Sequence, residues 1–132
     1  MTTTNQWGTG ERASAAVEFA LVLPLVLLMA LALVQVGLLV KDQLVVAGAA
    51  RAGARQAAVT TDDESARQAA VDAAAWLDPA LLDVAIDRMG AAGAPVQVTV
   101  GYSEPPRLPL VAWLFPADIR LSFSASFRQE TG

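Results

Sequence analysis

The chain has 132 residues, 55% of them hydrophobic, with no cysteine, no histidine and a net charge of −4 at neutral pH. These values exclude a disulfide framework, a thiolate nucleophile, a Cys/His zinc site and a Ser-His-Asp triad. A net-negative chain is also poorly suited to nucleic acid, and its length accommodates one small domain plus an anchor.

Residues 1–12 (MTTTNQWGTGER) are polar, threonine-rich and glycine-containing, and they read as a flexible leader. The run Phe19–Val40 then contains only Pro24, Gln35 and Gly37 besides apolar residues. Its twenty-two residues, at about 1.5 Å each, span roughly 33 Å as a helix, enough to cross a hydrocarbon core of about 30 Å. A helix apolar on every side for that length is a membrane span rather than the core helix of a soluble protein. The competing reading is a secretory signal peptide, with Ala47-Gly48-Ala49 as a small-x-small site. The run is longer than the usual apolar core of about 7–15 residues, and no clear basic region precedes it.

Helical pattern continues through Lys41–Val59 (KDQLVVAGAARAGARQAAV), which is alanine-rich and free of proline. Small residues recur at four-residue spacing: Gly48 with Ala52, Ala49 with Gly53, Ala50 with Ala54. Such rows let two helices approach closely, although alanine-rich composition alone produces them as well. Arg51 and Arg55 share a face, where they are either solvated or available to acidic groups of a neighbour. Thr61 and Glu64 fit a capping box for a second helix reaching about Leu77, with Ala66, Ala69, Ala70, Ala73 and Trp76 on one side and Asp78-Pro79 closing it. Between Asp62 and Asp87 seven acids face one base, Arg67, which reads as a solvated surface without metal-ligand spacing.

The last third changes period. Val84 and Ile86 mark a short strand and 90–95 a small-residue loop. Val96, Val98, Val100 and Tyr102 alternate with polar or small residues, as do Ile119, Leu121, Phe123, Ala125 and Phe127. Two-residue alternation with β-favouring composition predicts an antiparallel sheet whose apolar face is covered by the soluble part of the long helix. The proline-rich link between the last two strands carries an apolar patch, Leu108–Phe115. Three placements fit it: under the sheet, on the membrane surface, or against a partner.

Glu18 stands at the mouth of the apolar run, where an unpaired carboxylate is costly. If the leader is cut before Ser14, the new α-amine and Glu18 lie four residues apart on one helix face. Their pairing, within a subunit or between neighbours, would fix the axial register of a helix bundle. The simpler alternative places Glu18 in headgroup water, favouring the helix N-terminus.

The stretch Ser14-Ala15-Ala16-Val17-Glu18-Phe19-Ala20-Leu21-Val22-Leu23-Pro24 resembles the N-terminal signature of the TadE-like family, the pseudopilin or minor pilin-like proteins of the tight-adherence (Flp, type IVb-like) pilus system. Ala49-Ala50-Arg51-Ala52-Gly53-Ala54-Arg55 is similar to a second family stretch. The resemblance is strongest over 13–59 and implies processing by a prepilin peptidase on the cytoplasmic side. The family typically has glycine before the cut; Ala13 holds that position here, with Ser14 after it. Glu18 then becomes the carboxylate of the fifth mature residue, linked to assembly; Phe19 follows it, and Pro24 kinks the upper helix.

The expectation is therefore an α+β chain: a leader at 1–13, cleaved in the mature protein, a transmembrane helix at 14–40, and an extracytoplasmic domain at 41–132 with a short helix and an antiparallel sheet. The flanking charges do not orient the span, so the N-terminus is placed in the cytoplasm because the roughly ninety residues that follow need a compartment to fold in. The expected location is the inner membrane, in single pass, or the pilus itself. The expected partners are other pilin-like subunits, Tad platform proteins and the peptidase. Gly48, Arg51, Gly53 and Arg55 are the candidate helix-packing or partner contacts, and no enzymatic activity, cofactor, metal, nucleic acid or small-molecule substrate is expected. The alternative is a membrane-anchored accessory or regulatory factor that never enters a filament.

Overall fold

The computed structural model of the chain describes residues 7–90 and 93–130. Helix α1, Trp7–Val59, runs for 53 residues, about 80 Å. It starts earlier than the leader reading allowed, because Trp7–Arg12 are helical. Extending an existing helix fixes one residue per hydrogen bond gained, so glycines at 8 and 10 do not stop it next to an alanine-rich segment. The remainder of the leader, 1–6, lies outside the described residues. The helix also continues through Pro24, whose missing N–H leaves the Ala20 carbonyl without its usual partner.

The two ends of α1 live in different surroundings. Residues 10–27 are exposed throughout, whereas from Gln35 onward one stripe is buried: Gln35, Asp42, Val46, Ala49, Ala50, Gly53, Ala54, Ala57 and Ala58. Steps of three, four and seven keep that stripe on one side. Its small side chains let the rest of the domain come close. A Cβ at Gly53 would stand 3.1 Å from both Ala70 Cβ and Val98 Cγ1 and 3.2 Å from the Ala66 carbonyl oxygen.

Helix α2 spans Asp63–Ala73. Its N-cap is Asp62 rather than Thr61: the two Asp62 carboxylate oxygens accept from the Glu64 and Ser65 amides at 3.2 and 3.3 Å. A carboxylate caps as well as a threonine hydroxyl, and it has a second oxygen for a second donor. The helix stops four residues short of Leu77. Tight turns then rotate the chain so that Ala74 and Leu77 join Ala66 and Ala70 in the core, while Ala73 is exposed and Trp76 is 82% exposed. The expected inner row therefore holds for Ala66 and Ala70 but not for Ala73 and Trp76: the inward positions that follow are Ala74 and Leu77, one residue further on in each case.

Asp78 caps a short 3₁₀ turn, Pro79–Leu81, that leads into β1, Leu82–Arg88. Strands β2, Pro95–Glu104, and β3, Ile119–Arg128, complete an antiparallel sheet in the order β1-β2-β3. Val98 pairs with Ile86 and Ala125, and Val100 pairs with Val84 and Phe123. Since successive side chains alternate faces, Val96, Val98, Val100 and Tyr102 all point inward and are buried against α1 and α2. The fold is α+β, with the sheet covered by the C-terminal half of the same helix whose other half stands free.

Arg88, at the end of β1, locks the corner. It donates to Asp63 at 2.7 Å and to the carbonyls of Ala57 and Thr60 at 3.0 Å each. A cation on the last carbonyls of α1 satisfies acceptors that the helix leaves open and opposes the negative end of its dipole.

Candidate assembly site on the membrane helix

Along the free half of α1 every side is apolar, and none of the described residues covers it. A window of mean hydropathy 2.7 has none of its residues buried. Phe19, Leu21, Leu25 and Met29 are each at least 60% exposed. Covering such a surface takes hydrocarbon, and a single helix keeps its backbone bonded there. This helix fits a membrane anchor.

Ser14 and Glu18 sit one above the other at the start of that surface. The Ser14 hydroxyl donates to Glu18 Oε1 at 3.4 Å, a long contact that shows the two side chains on one face. Both are exposed, as are Ala13 and Phe19, so all four are open to a neighbour. Among the described residues, no ion pair reaches Glu18.

The four other candidate contacts separate. Gly48 is exposed with open space around it, so a partner can approach there. Gly53 is buried against α2 and β2, so of its two expected uses it serves helix packing, within the chain itself. The small-residue row belongs to two faces: Ala49-Gly53 and Ala50-Ala54 pack the domain itself. The Arg51 guanidinium lies 5.1 Å from the centre of the Phe123 ring, a cation–π distance within its own domain. Arg55 is exposed.

Sequence reasoning missed a polar latch where α1 meets the domain. Asp42, 2% exposed, forms an ion pair with Arg107 at 3.2 Å, and Arg107 in turn donates to both Glu104 oxygens at 2.7 and 2.9 Å. Seven residues down the helix, the Gln35 side chain accepts from the Leu108 amide at 3.1 Å. Burial pushes the Asp42 carboxyl up, against the pull of Arg107, and burial likewise raises the Tyr102 phenol. Glu104 holds Arg107 firmly charged. The signal was Gln35 itself: a polar side chain inside an apolar run calls for a partner.

The outer sheet face carries a polar depression lined by Asp83, Thr99, Ser103, Arg120 and Ser122. Among the described residues, no group of three or more His, Cys, Asp or Glu side chains is placed to hold a metal ion.

Residues 13–55 match the family model described as TadE-like protein. The N-terminal segment of this chain is TadE-like. The match begins at Ala13, takes in Glu18, Pro24, Gln35 and Asp42, and ends at Arg55. No curated protein and no solved structure matches the chain. The matched segment lies within α1, taking in its free half and most of its packed half; the sheet lies beyond it.

Proposed function

We propose that this chain is a minor pseudopilin-like subunit that assembles or initiates a Tad pilus by packing its membrane helix after removal of residues 1–13. The observation that carries the reading is the placement of Ser14 and Glu18 on one exposed face of α1, at the mouth of an uncovered apolar helix, inside the TadE-like segment. Hydrolysis between Ala13 and Ser14 creates an α-amine with a pKa of about 7.7–8.0, charged at neutral pH. At the membrane boundary that cation and the Glu18 carboxylate attract strongly, because the surroundings screen little. When the pair forms between subunits, only one axial register leaves neither charge unpaired.

The role is structural rather than enzymatic. The chain sits in single pass in the inner membrane, its N-terminus cytoplasmic and its folded domain outside. Its partners are other pilin-like subunits, the platform proteins of the system and a prepilin peptidase. Gly48 and Arg55, exposed on the packed half of α1, supply further contact surface.

Replacing Glu18 with Ala removes the carboxylate from an exposed position that touches no part of the core. Membrane insertion and protein level should stay unchanged while piliation, counted by electron microscopy, falls severely. Wild-type piliation in Glu18→Ala cells would reject the register mechanism.

A further inference from the structure

The latch does more than fasten a loop: it sets the depth of that loop. Gln35 lies within the apolar run 19–40, five residues before its end, yet it is 1% exposed and accepts from the Leu108 amide. Arg107 is held on Asp42, just past the run. From Asp42 to Gln35 is about 10 Å along a helix axis. The chain after Arg107 therefore descends beside α1 to the level of residues that belong to the membrane span, and the 3₁₀ helix Pro109–Leu114 packs there against α1.

Its composition and exposure match that depth. No charge occurs from Leu108 to Ala117. Val111 is fully buried against the chain, but Leu110, Trp113 and Leu114 turn outward at 68, 73 and 49% exposure. At the same level α1 exposes Leu33, Val36 and Val40, so the apolar surface of the span runs on into the loop. The Trp113 indole N–H donates to the Leu110 carbonyl at 3.2 Å, which lets the ring enter a medium poor in acceptors without an orphaned donor.

We propose that Leu108–Phe115 is an interfacial foot that rests in the lipid boundary at the C-terminal end of the α1 span, with Leu110, Trp113 and Leu114 in contact with lipid. Tryptophan and leucine suit that layer, where apolar bodies are buried at headgroup depth. The foot gives the domain a second point of attachment, so the sheet is held at a fixed height and tilt over the membrane instead of swinging on the helix. This inference rests on the reading of α1 as a membrane span, and the test below separates the two.

The full chain, with Trp7 and Trp76 replaced by Phe, is reconstituted in phosphatidylcholine vesicles so that Trp113 is the sole indole. A control carries Leu27→Trp with all three native tryptophans replaced by Phe. Acyl chains brominated at shallow or deep positions report depth by fluorescence quenching, and aqueous iodide reports exposure to water. The control should be quenched most by deep bromines; if it is not, the membrane span itself is wrong and the foot falls with it. Trp113 should be quenched most by shallow bromines and shielded from iodide. With the control behaving as expected, iodide-accessible Trp113 that bromolipids do not quench overturns the foot alone. So does Trp113 shielded from both quenchers in a manner that disappears on dilution with lipid, which would place a second copy of the chain on this surface.

Discussion

Two glycines five residues apart on α1 offer a controlled test of how the domain packs. Gly48→Ala and Gly53→Ala add the same methyl group to the same helix, and each gains about 0.8–1.0 kcal/mol of helix propensity. The methyl at 48 meets nothing within 4 Å. The methyl at 53 meets Ala70 Cβ, Val98 Cγ1 and the Ala66 carbonyl oxygen at 3.1–3.2 Å, closer than carbon normally tolerates. Two of those neighbours belong to α2 and one to the central strand, so relief requires moving whole elements rather than one flexible side chain. Overpacking of this kind costs roughly 1–3 kcal/mol. Helix propensity cancels between the variants, and the difference between them isolates the packing cost. For a folded part of about ninety residues, each kcal/mol shifts Tm by roughly 4–8 °C. Thermal unfolding of the full chain in detergent micelles should therefore place Gly53→Ala at least about 4 °C below Gly48→Ala. Equal midpoints would refute the packing of α1 on α2 and β2. Gly48→Ala has a second use: if that surface contacts a neighbouring subunit, piliation drops although stability rises.

Two other perturbations probe the polar fasteners. Arg88→Met keeps the unbranched apolar stem of the side chain but gives up its bonds to Ala57, Thr60 and Asp63; at about 1–3 kcal/mol for helix-end acceptors left unmet, it should destabilise the domain by roughly 2 kcal/mol and speed amide exchange in the last turn of α1, whereas unchanged stability would show the clamp to be idle. The pH response of Asp42 has a definite sign. Its pKa in the folded chain lies above the ordinary 3.8, so the folded state takes up the proton more readily, and the stability this contributes is fully present below 3.8 and is lost as pH rises through the folded value. Compared with Asp42→Asn, the wild type should gain stability on acidification through that window; the opposite trend would mean that the Arg107 attraction outweighs burial.

Much of this architecture is written locally. The alternation at Val96, Val98, Val100 and Tyr102 placed four residues on the buried face of β2, and all four are there. The apolar run and the alanine-rich extension announced α1. What local pattern does not carry is partner identity across long separations. Gln35 and Leu108 are 73 positions apart, and Arg88 meets Ala57 across 31, so neither bond leaves a trace in its own neighbourhood. The inward turn of Gly53 was equally hidden. A small-xxx-small row marks a face that something approaches, but the same spacing serves a partner helix and the chain's own sheet. Ala73 and Trp76 failed for a different reason: in an alanine-rich segment the rows 73, 76 and 74, 77 look alike, and only the second faces the core. At the start of the apolar surface the shared face of Ser14 and Glu18 was legible, since one helical turn joins them.

The register mechanism depends on a free amine at Ser14, and that amine exists only after hydrolysis of the Ala13–Ser14 bond. Intact mass spectrometry of the full chain co-expressed with a prepilin peptidase tests this directly. The account predicts a species lacking residues 1–13 and beginning at Ser14, absent when the peptidase is inactivated. A chain still beginning at Met1 or Thr2 in the presence of active peptidase, and in isolated pili, would contradict it.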